Sequence, residues 1–358
     1  MKTLLITQDD MHRIIREAGR SEILNRIISR ITEGLRDGYR EGLALSPLRD
    51  GFERPSPAPG ITEWMPHRVA GESITIKTVS YSPGNPALFG LPTILGTITR
   101  FDDTTGRLVA VADGVLPTAL RTGAASAVAS RALADPGSRV LGLIGTGAQA
   151  VTQLHALSLV LPLDTVLAWD TDPAHLASFA ERVAFLGMDV RTATPEEIRR
   201  DADVISTVTS VGVGQGPVLP DGPTREHLHI NAVGSDLIGK TELPRSLLLR
   251  ALVCPDHPEQ TLREGESQQL TAAQQGPELR RLCAEPETAL AARSRLTVFD
   301  STGIAYLDHL ALDVFLEAAA ELGAGTAIAL EHYPSDALDP YSAQAGSDIE
   351  LRELVDAR

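Results

Sequence analysis

The run Arg139-Val-Leu-Gly-Leu-Ile144 is followed at once by Gly145-Thr-Gly147-Ala-Gln149-Ala150. An apolar strand, a turn with the spacing G-x-G-x-x-A and a helix starting at that turn make up the first half of a dinucleotide-binding α/β fold. Gly145 permits the tight turn, and Gly147 lets the backbone approach a pyrophosphate. The helix N-terminus offers unpaired N–H groups and the positive end of its dipole to phosphate oxygens. The next strand, Thr165-Val-Leu-Ala-Trp169, closes on Asp170. A carboxylate there accepts from both ribose hydroxyls and repels a 2′-phosphate, which favours NAD over NADP. Thr207-Val208-Thr209 ends a later strand of the same sheet. It reads either as part of the cofactor crevice or as an ordinary β-branched strand end.

The pattern around this motif divides the chain. Residues 139–233 alternate strands with helices, the mark of a parallel α/β sheet. The strands are 139–144, 165–169, 188–192, 203–207 and 229–233, and the helices are 151–160, 173–186 and 195–200. A helix of small residues, Thr118 to Ala134, precedes them. The first forty residues read as two helices. Thr7 and Asp10 form a capping box for the first. Ser21 is a candidate cap for the second, whose Leu24, Ile27, Ile28, Ile31 and Leu35 follow a helical period. A loop holding Pro47, Pro55, Pro57 and Pro59 leads to alternating, β-rich runs from about 60 to 113, with a turn at Asp102–Gly106. These strands form a mostly antiparallel or mixed sheet, with apolar edges suited to pairing with a second subunit. The tail after about 331 is loop-rich and acidic.

Composition narrows the function classes. With 32 Lys and Arg against 47 Asp and Glu, the formal charge of the 358 residues is −15. That balance argues against nucleic acid and against an anionic membrane surface. The two cysteines, Cys254 and Cys283, are no disulfide framework, and no Cys/His cluster has zinc spacing, so no metal is expected. The N-terminus lacks the apolar stretch of a signal peptide and no window is long enough to span a bilayer, so the reading is a cytoplasmic protein.

Charged residues in apolar settings are the candidates for chemistry. Lys77 lies mid-strand, where a lysine usually points to solvent but can turn inward to hold a carboxylate. Arg121, within Ala119-Leu-Arg-Thr-Gly-Ala-Ala-Ser126, is either a snorkelling surface arginine or a buried anion clamp. Arg49 and Arg54 are loop arginines, usually solvated. Glu63 lies on an apolar stretch. Asp236 falls just past a parallel strand, where open sheets place ligands, though a turn-capping role reads equally well. Glu264 and Glu266 alone look like a solvated acidic pair.

Several runs together resemble the ornithine cyclodeaminase/mu-crystallin family. They are Ala119–Ser126, Leu143-Ile-Gly-Thr-Gly-Ala-Gln149, Ala168-Trp-Asp-Thr-Asp-Pro173, Asn231-Ala-Val-Gly-Ser-Asp236, Gly239-Lys-Thr-Glu-Leu243, Glu264-Gly-Glu266 with Gln268-Gln269-Leu270, and Phe299-Asp-Ser-Thr-Gly303. Other segments are similar to the lysine cyclodeaminase branch: Ser46-Pro-Leu-Arg49, Glu63-Trp-Met-Pro-His67, Thr75–Val79, Asp256–Gln260, Glu331-His332 and Asp336–Tyr341.

The resemblance implies a Rossmann-type NAD-binding domain, residues 121–314, plus an α+β substrate-binding and dimerisation domain, residues 1–120 with 315–358 returning to it. It implies a homodimer and a tightly held NAD. It places Thr122, Gly145, Thr146, Gly147, Ala148, Gln149, Asp170, Thr171, Thr207, Val208, Thr209, Asn231, Val233 and Ser301 at the cofactor. Lys77 and Arg121 match the pair holding a substrate carboxylate, with Arg49 a third cation for which Arg54 competes. Glu63 matches the acid at the substrate amines, Asp236 the catalytic acid/base, and Glu264 lies in a matching run. Asp236, Glu63 and Lys77 are thus the expected catalytic groups. The implied reaction converts L-lysine to L-pipecolate and ammonia. Ornithine to proline, a cyclic imine reductase and a non-catalytic crystallin-like binder are the alternatives.

Overall fold

The structure, a computed structural model, describes residues 1–55 and 59–342. Pro57 and residues 343–358 of the expected returning segment lie outside them.

The chain opens with a strand that the sequence reading passed over, β1 (Thr3–Ile6), followed by α1 (Gln8–Ala18) and α2 (Arg20–Arg40). Three apolar residues are too few to show a period, and β1 exists because β6 and β14 flank it. The capping box is present: Thr7 Oγ1 accepts from Asp10 N at 3.3 Å and Asp10 Oδ2 accepts from Thr7 N at 2.9 Å. Ser21 is not a cap. Gly19, at φ 96°, ends α1, and the chain re-enters a helix at once, so Ser21 lies inside α2.

The chain continues through β2 (Asp50–Arg54), β3 (Gly60–Val69), β4 (Ser73–Tyr81), α3 (Asn85–Phe89), β5 (Ile94–Asp102) and β6 (Leu108–Asp113). Next come α4 (Val115–Leu133), β7 (Val140–Ile144), α5 (Ala148–Ser158), β8 (Thr165–Trp169), α6 (Pro173–Arg182), β9 (Asp189–Thr192), α7 (Pro195–Asp201), β10 (Val204–Thr207) and β11 (His229–Ala232). Then follow α8 (Arg245–Leu248), β12 (Leu252–Pro255), α9 (Pro258–Glu264), α10 (Leu279–Ala284), α11 (Pro286–Ala292), β13 (Thr297–Asp300), α12 (Ala305–Leu322) and β14 (Thr326–Ile328).

These elements form two compact units. Among the described residues, the first comprises those of 1–23, 46–118 and 308–342; the second comprises 24–45 and 119–307. The segment 24–45, most of α2, therefore goes with the second unit.

The first unit carries a seven-stranded sheet in the order β14-β1-β6-β5-β4-β3-β2. Only β1 and β6 run parallel; the other pairs are antiparallel. Alternation along β3 buries Glu63, Met65 and His67, and the register sets Met65 opposite Lys77 and His67 opposite Thr75. Side chains directly opposite each other share a face, so this covered face carries charged groups as well as apolar ones.

The second unit carries a parallel sheet in the order β12-β13-β11-β10-β7-β8-β9. Its central strands are buried throughout, as strands covered on both faces must be. The order reverses direction between β10 and β7, and a doubly wound sheet opens its ligand crevice at such a point. The small-residue helix α4 packs tightly on α5: a Cβ at Gly123 would lie 2.5 Å from the Thr152 carbonyl oxygen. Among the described residues no helix is long and apolar enough to cross a membrane.

Candidate active site

In the second unit the glycine turn lies between β7 and α5. Gly145 has φ 97°, and a Cβ there would press to 3.0 Å from the Val208 carbonyl, so glycine is required. Gly147 differs: a Cβ would meet nothing within 4 Å. The backbone faces open space there, as close approach by a ligand needs. Helices α1, α6 and α7 are capped by Thr7, Asp172 and Thr194, whereas α5 starts behind Gly147 with no side-chain cap. Its first N–H groups suit phosphate oxygens, so the turn fits a dinucleotide. Asp170 braces the turn: its Oδ2 accepts from Thr146 N at 2.6 Å and Thr146 Oγ1 at 2.9 Å. Arg182 donates to the Thr146 carbonyl at 2.7 Å.

The other cofactor candidates of this unit lie as follows. Ala148 and Thr171 are exposed, and Val208 and Val233 partly so. Gln149 Nε2 donates to the Ala119 carbonyl at 3.3 Å, and Thr122 is buried on α4. Thr207 is buried at the end of β10. Ser301 Oγ donates to Asp256 at 3.0 Å. The Asn231 side chain is engaged internally, donating to Ser130 Oγ at 3.0 Å with its carbonyl 3.2 Å from His229 Nε2. Its contribution in this structure is to join β11 to α4.

Beyond β11 the loop carrying Asp236 is tied down by carboxylates. Glu242 Oε1 accepts from Thr209 N and Thr209 Oγ1, both at 2.7 Å, and Glu242 Oε2 from Gly234 N at 2.8 Å. Glu266 accepts from Glu242 N at 2.5 Å and Leu243 N at 3.2 Å. Asp300 accepts from Glu266 N and Ser267 N at 2.9 and 2.7 Å. The loops after β10, β11 and α9 are thereby joined to the end of β13. Burial raises all three carboxyls above their ordinary range, Asp300 to about 7 and Glu266 well upward. Glu264 and Glu266 are buried rather than a solvated pair. Glu264 ends α9 and Glu266 begins the turn after it, and for Glu266 backbone amides take the place of water.

Asp236 itself is about a third exposed. Its Oδ1 lies 3.0 Å from Nζ of Lys240, whose side chain is buried. Gln268 fixes the same loop by accepting from Gly239 N at 2.7 Å and donating to the Lys240 carbonyl at 2.9 Å. Arg121 is buried on α4, which removes the snorkelling reading. Its guanidinium occupies the space of an absent side chain: a Cβ at Gly303, φ 79°, would come 2.6 Å from Arg121 Nη1.

In the first unit Lys77 points inward. Its Nζ lies 2.8 Å from Asp308 Oδ2, with side chains 1% and 0% exposed. Arg49, also buried, sits with Nε 3.3 Å from Glu63 Oε1. Arg54 is engaged at the sheet edge, donating to Ser82 Oγ at 2.5 Å. The same face holds His67, with Nδ1 2.9 Å from Ser46 Oγ. It also holds Arg100, which donates to Asp313 at 2.7 Å, and Thr75, whose Oγ1 lies 2.8 Å from Nδ1 of His309 on α12. Burial, with Arg100 nearby, pushes His67 down to about 4. The sequence reading missed Asp308 and Lys240. The one signal for Asp308 was an acid inside the apolar helix Ala305–Leu322. No group of three or more His, Cys, Asp or Glu among the described residues could hold a metal ion.

Comparison with known proteins agrees with this architecture. The family model for the ornithine cyclodeaminase/mu-crystallin family matches residues 15–322. An L-lysine cyclodeaminase from Streptomyces rapamycinicus is 51% identical over 342 residues, 96% of this chain and 100% of that protein. Among solved structures, a lysine cyclodeaminase studied for its recognition of L-lysine, L-ornithine and L-2,4-diaminobutyric acid superposes with a TM-score of 0.94. It has 63% identity, with 96% of this chain and 100% of that one covered. An archaeal alanine dehydrogenase dimer with bound NAD superposes with a TM-score of 0.80 at 30% identity, covering 92% and 99%. A parallel nucleotide-binding sheet, a mixed second sheet carrying buried cations, and a match across most of the length place this chain in the ornithine cyclodeaminase/mu-crystallin family.

Proposed function

We propose that this chain converts L-lysine to L-pipecolate with release of ammonia, using NAD that ends each turnover in the form in which it began. The observation that carries the reading is the likeness to lysine cyclodeaminase over 96% of the chain, with a TM-score of 0.94.

NAD held at the turn from Gly145 to Gln149 would supply reversible hydride exchange with the substrate α-carbon. The chain supplies charge, orientation and proton transfer. Lys77, Arg121 and Arg49 take the substrate carboxylate; the engagement of Arg54 at the strand edge supports Arg49 as the third cation. Glu63 and Glu264 face the amines. Asp236 removes a proton from the α-ammonium, because an ammonium can neither release hydride from its carbon nor assist ring closure. Its partial exposure and its anchoring by Lys240 support this role. The ω-amine then attacks the oxidised carbon, the original α-nitrogen departs as ammonia, and the ring is reduced. In this reading the protein works as a homodimer in the cytoplasm, within secondary metabolism.

The test is ammonia release and cyclic product from lysine, with NADH followed in the same sample. Ammonia without net NADH is expected. Stoichiometric NADH would replace this reading with a simple dehydrogenase, and ligand binding without ammonia would replace it with a binding protein. Ornithine to proline is the second reading, favoured by the recognition of ornithine in the lysine cyclodeaminase structure. One methylene changes binding by only about 1–3 kcal/mol, so both substrates belong in the same assay.

A further inference from the structure

We infer that Asp308 is a positioning residue: it holds the Lys77 ammonium at the place where the carboxylate of the amino-acid substrate docks. The inference rests on the proposed function, which gives Lys77 that carboxylate.

Lys77 projects from the middle of β4 and Asp308 from the first turn of α12, 2.8 Å apart. Neither side chain retains meaningful contact with water. Lysine carries its charge on a flexible four-carbon stem, so an unsupported ammonium is placed loosely. It is also costly to bury without a counter-charge. Asp308 addresses both. Its backbone is fixed in an 18-residue helix, and its carboxylate supplies the charge that water no longer can.

The neighbouring cations follow the same plan. Arg49 is matched by Glu63, and Arg100 by Asp313. The covered face of this sheet thus presents cations already matched by carboxylates. A zwitterionic headgroup brings no net charge to such a face, whereas a ligand with amines and no carboxylate gains nothing from a well-placed Lys77. Asp308 therefore acts on recognition of the carboxylate end, through Lys77, and not on the amines or on NAD.

The experiment compares the unmodified enzyme with Asp308→Asn and Asp308→Glu. It measures ammonia release from L-lysine, inhibition by 1,5-diaminopentane (the same amines without the carboxylate) and NAD binding. For Asp308→Asn we expect KM for lysine to rise about tenfold, with kcat changed much less. Inhibition by the diamine and NAD binding should stay at the unmodified level. Asp308→Glu keeps the charge but displaces it by one methylene, so its KM should fall between the other two. Should Asp308→Asn fail to fold, the Glu variant carries the same comparison.

A KM that stays put in the folded variants, or equal losses for lysine and the diamine, would overturn the inference and leave Asp308 a packing residue. Absence of ammonia release from lysine by the unmodified enzyme would overturn the proposed function and this inference together. Normal turnover with indifferent Asp308 variants would overturn this inference alone.

Discussion

In the mixed sheet of the first unit, Lys77 sits mid-strand and finds its counter-charge on α12, at the other end of the sequence. In the parallel sheet of the second unit, Asp236 sits in a loop and finds Lys240 four positions later. The first pair is sealed from water at both ends; the second is sealed only at the lysine. A parallel α/β sheet delivers its chemistry from loops at strand ends, where neighbours in sequence are neighbours in space. A largely antiparallel sheet delivers it from one face, where alternation fixes the direction of a side chain and leaves its partner to whatever covers that face. The loop pair in this protein is therefore local and partly wet, and the sheet-face pair is long-range and dry.

The largest expected effect tests the loop. Asp236→Asn should lower turnover about 100- to 10,000-fold, the usual worth of a positioned acid/base, while equilibrium binding shows NAD still held. Near-normal turnover would break the assignment.

The next effect tests dryness directly. Asp308→Ala takes a carboxylate away from a buried ammonium and should cost about 3–5 kcal/mol in denaturant unfolding. Lys240→Ala leaves a carboxylate that water can already reach, and should cost about 1 kcal/mol. Equal losses would mean that the two pairs do not differ in kind.

Titration separates two buried groups, one in each unit, by sign. His67, in the first unit, is depressed to about 4 from 6.5. Its unfolded form takes up a proton first as pH falls, so its contribution is whole above pH 6.5 and is lost on the way down to 4. Asp300, in the second unit, is raised to about 7 from 3.8. Its contribution is whole at acid pH and is lost as pH climbs toward 7. His229, also depressed to about 4, partly masks that slope. The slope of unfolding stability against pH between 4 and 7 should therefore be more positive in Asp300→Asn than in the parent, and more negative in His67→Gln. Parallel profiles would refute the opposition.

The smallest effect contrasts two helix starts. Thr7→Ala removes the cap of α1 and should cost about 1 kcal/mol. Gly147→Ala, at the uncapped start of α5, should leave stability nearly unchanged because its Cβ meets nothing. It should weaken NAD binding, because the added methyl would enter the open space proposed for the ligand. A stability loss at Gly147 would show the turn to be structural.

Much of the second unit was legible beforehand because its signals are local. The strand, the glycine spacing, the helix start and Asp170 lie within one short stretch, and strand β8 falls at Thr165–Trp169 as read. The Thr7–Asp10 box was legible in the same way. Lys77 and Glu264 were harder. Their chemical type pointed outward, and only burial against distant segments turns them inward. Glu242 and Glu266 gave no sign that they hold backbone amides, because hydrogen bonds to loops leave no periodic trace. β1 went unread because four residues acquire strand geometry only from the strands beside them.

The sequence by itself determined the parallel nucleotide-binding half, the alternation of the other sheet and the identity of the charged groups, since each is written in short-range spacing. Only the tertiary structure decided which charges are buried and with which partner each is matched. Burial and pairing depend on segments brought together by packing, and separation along the chain says nothing about distance through it.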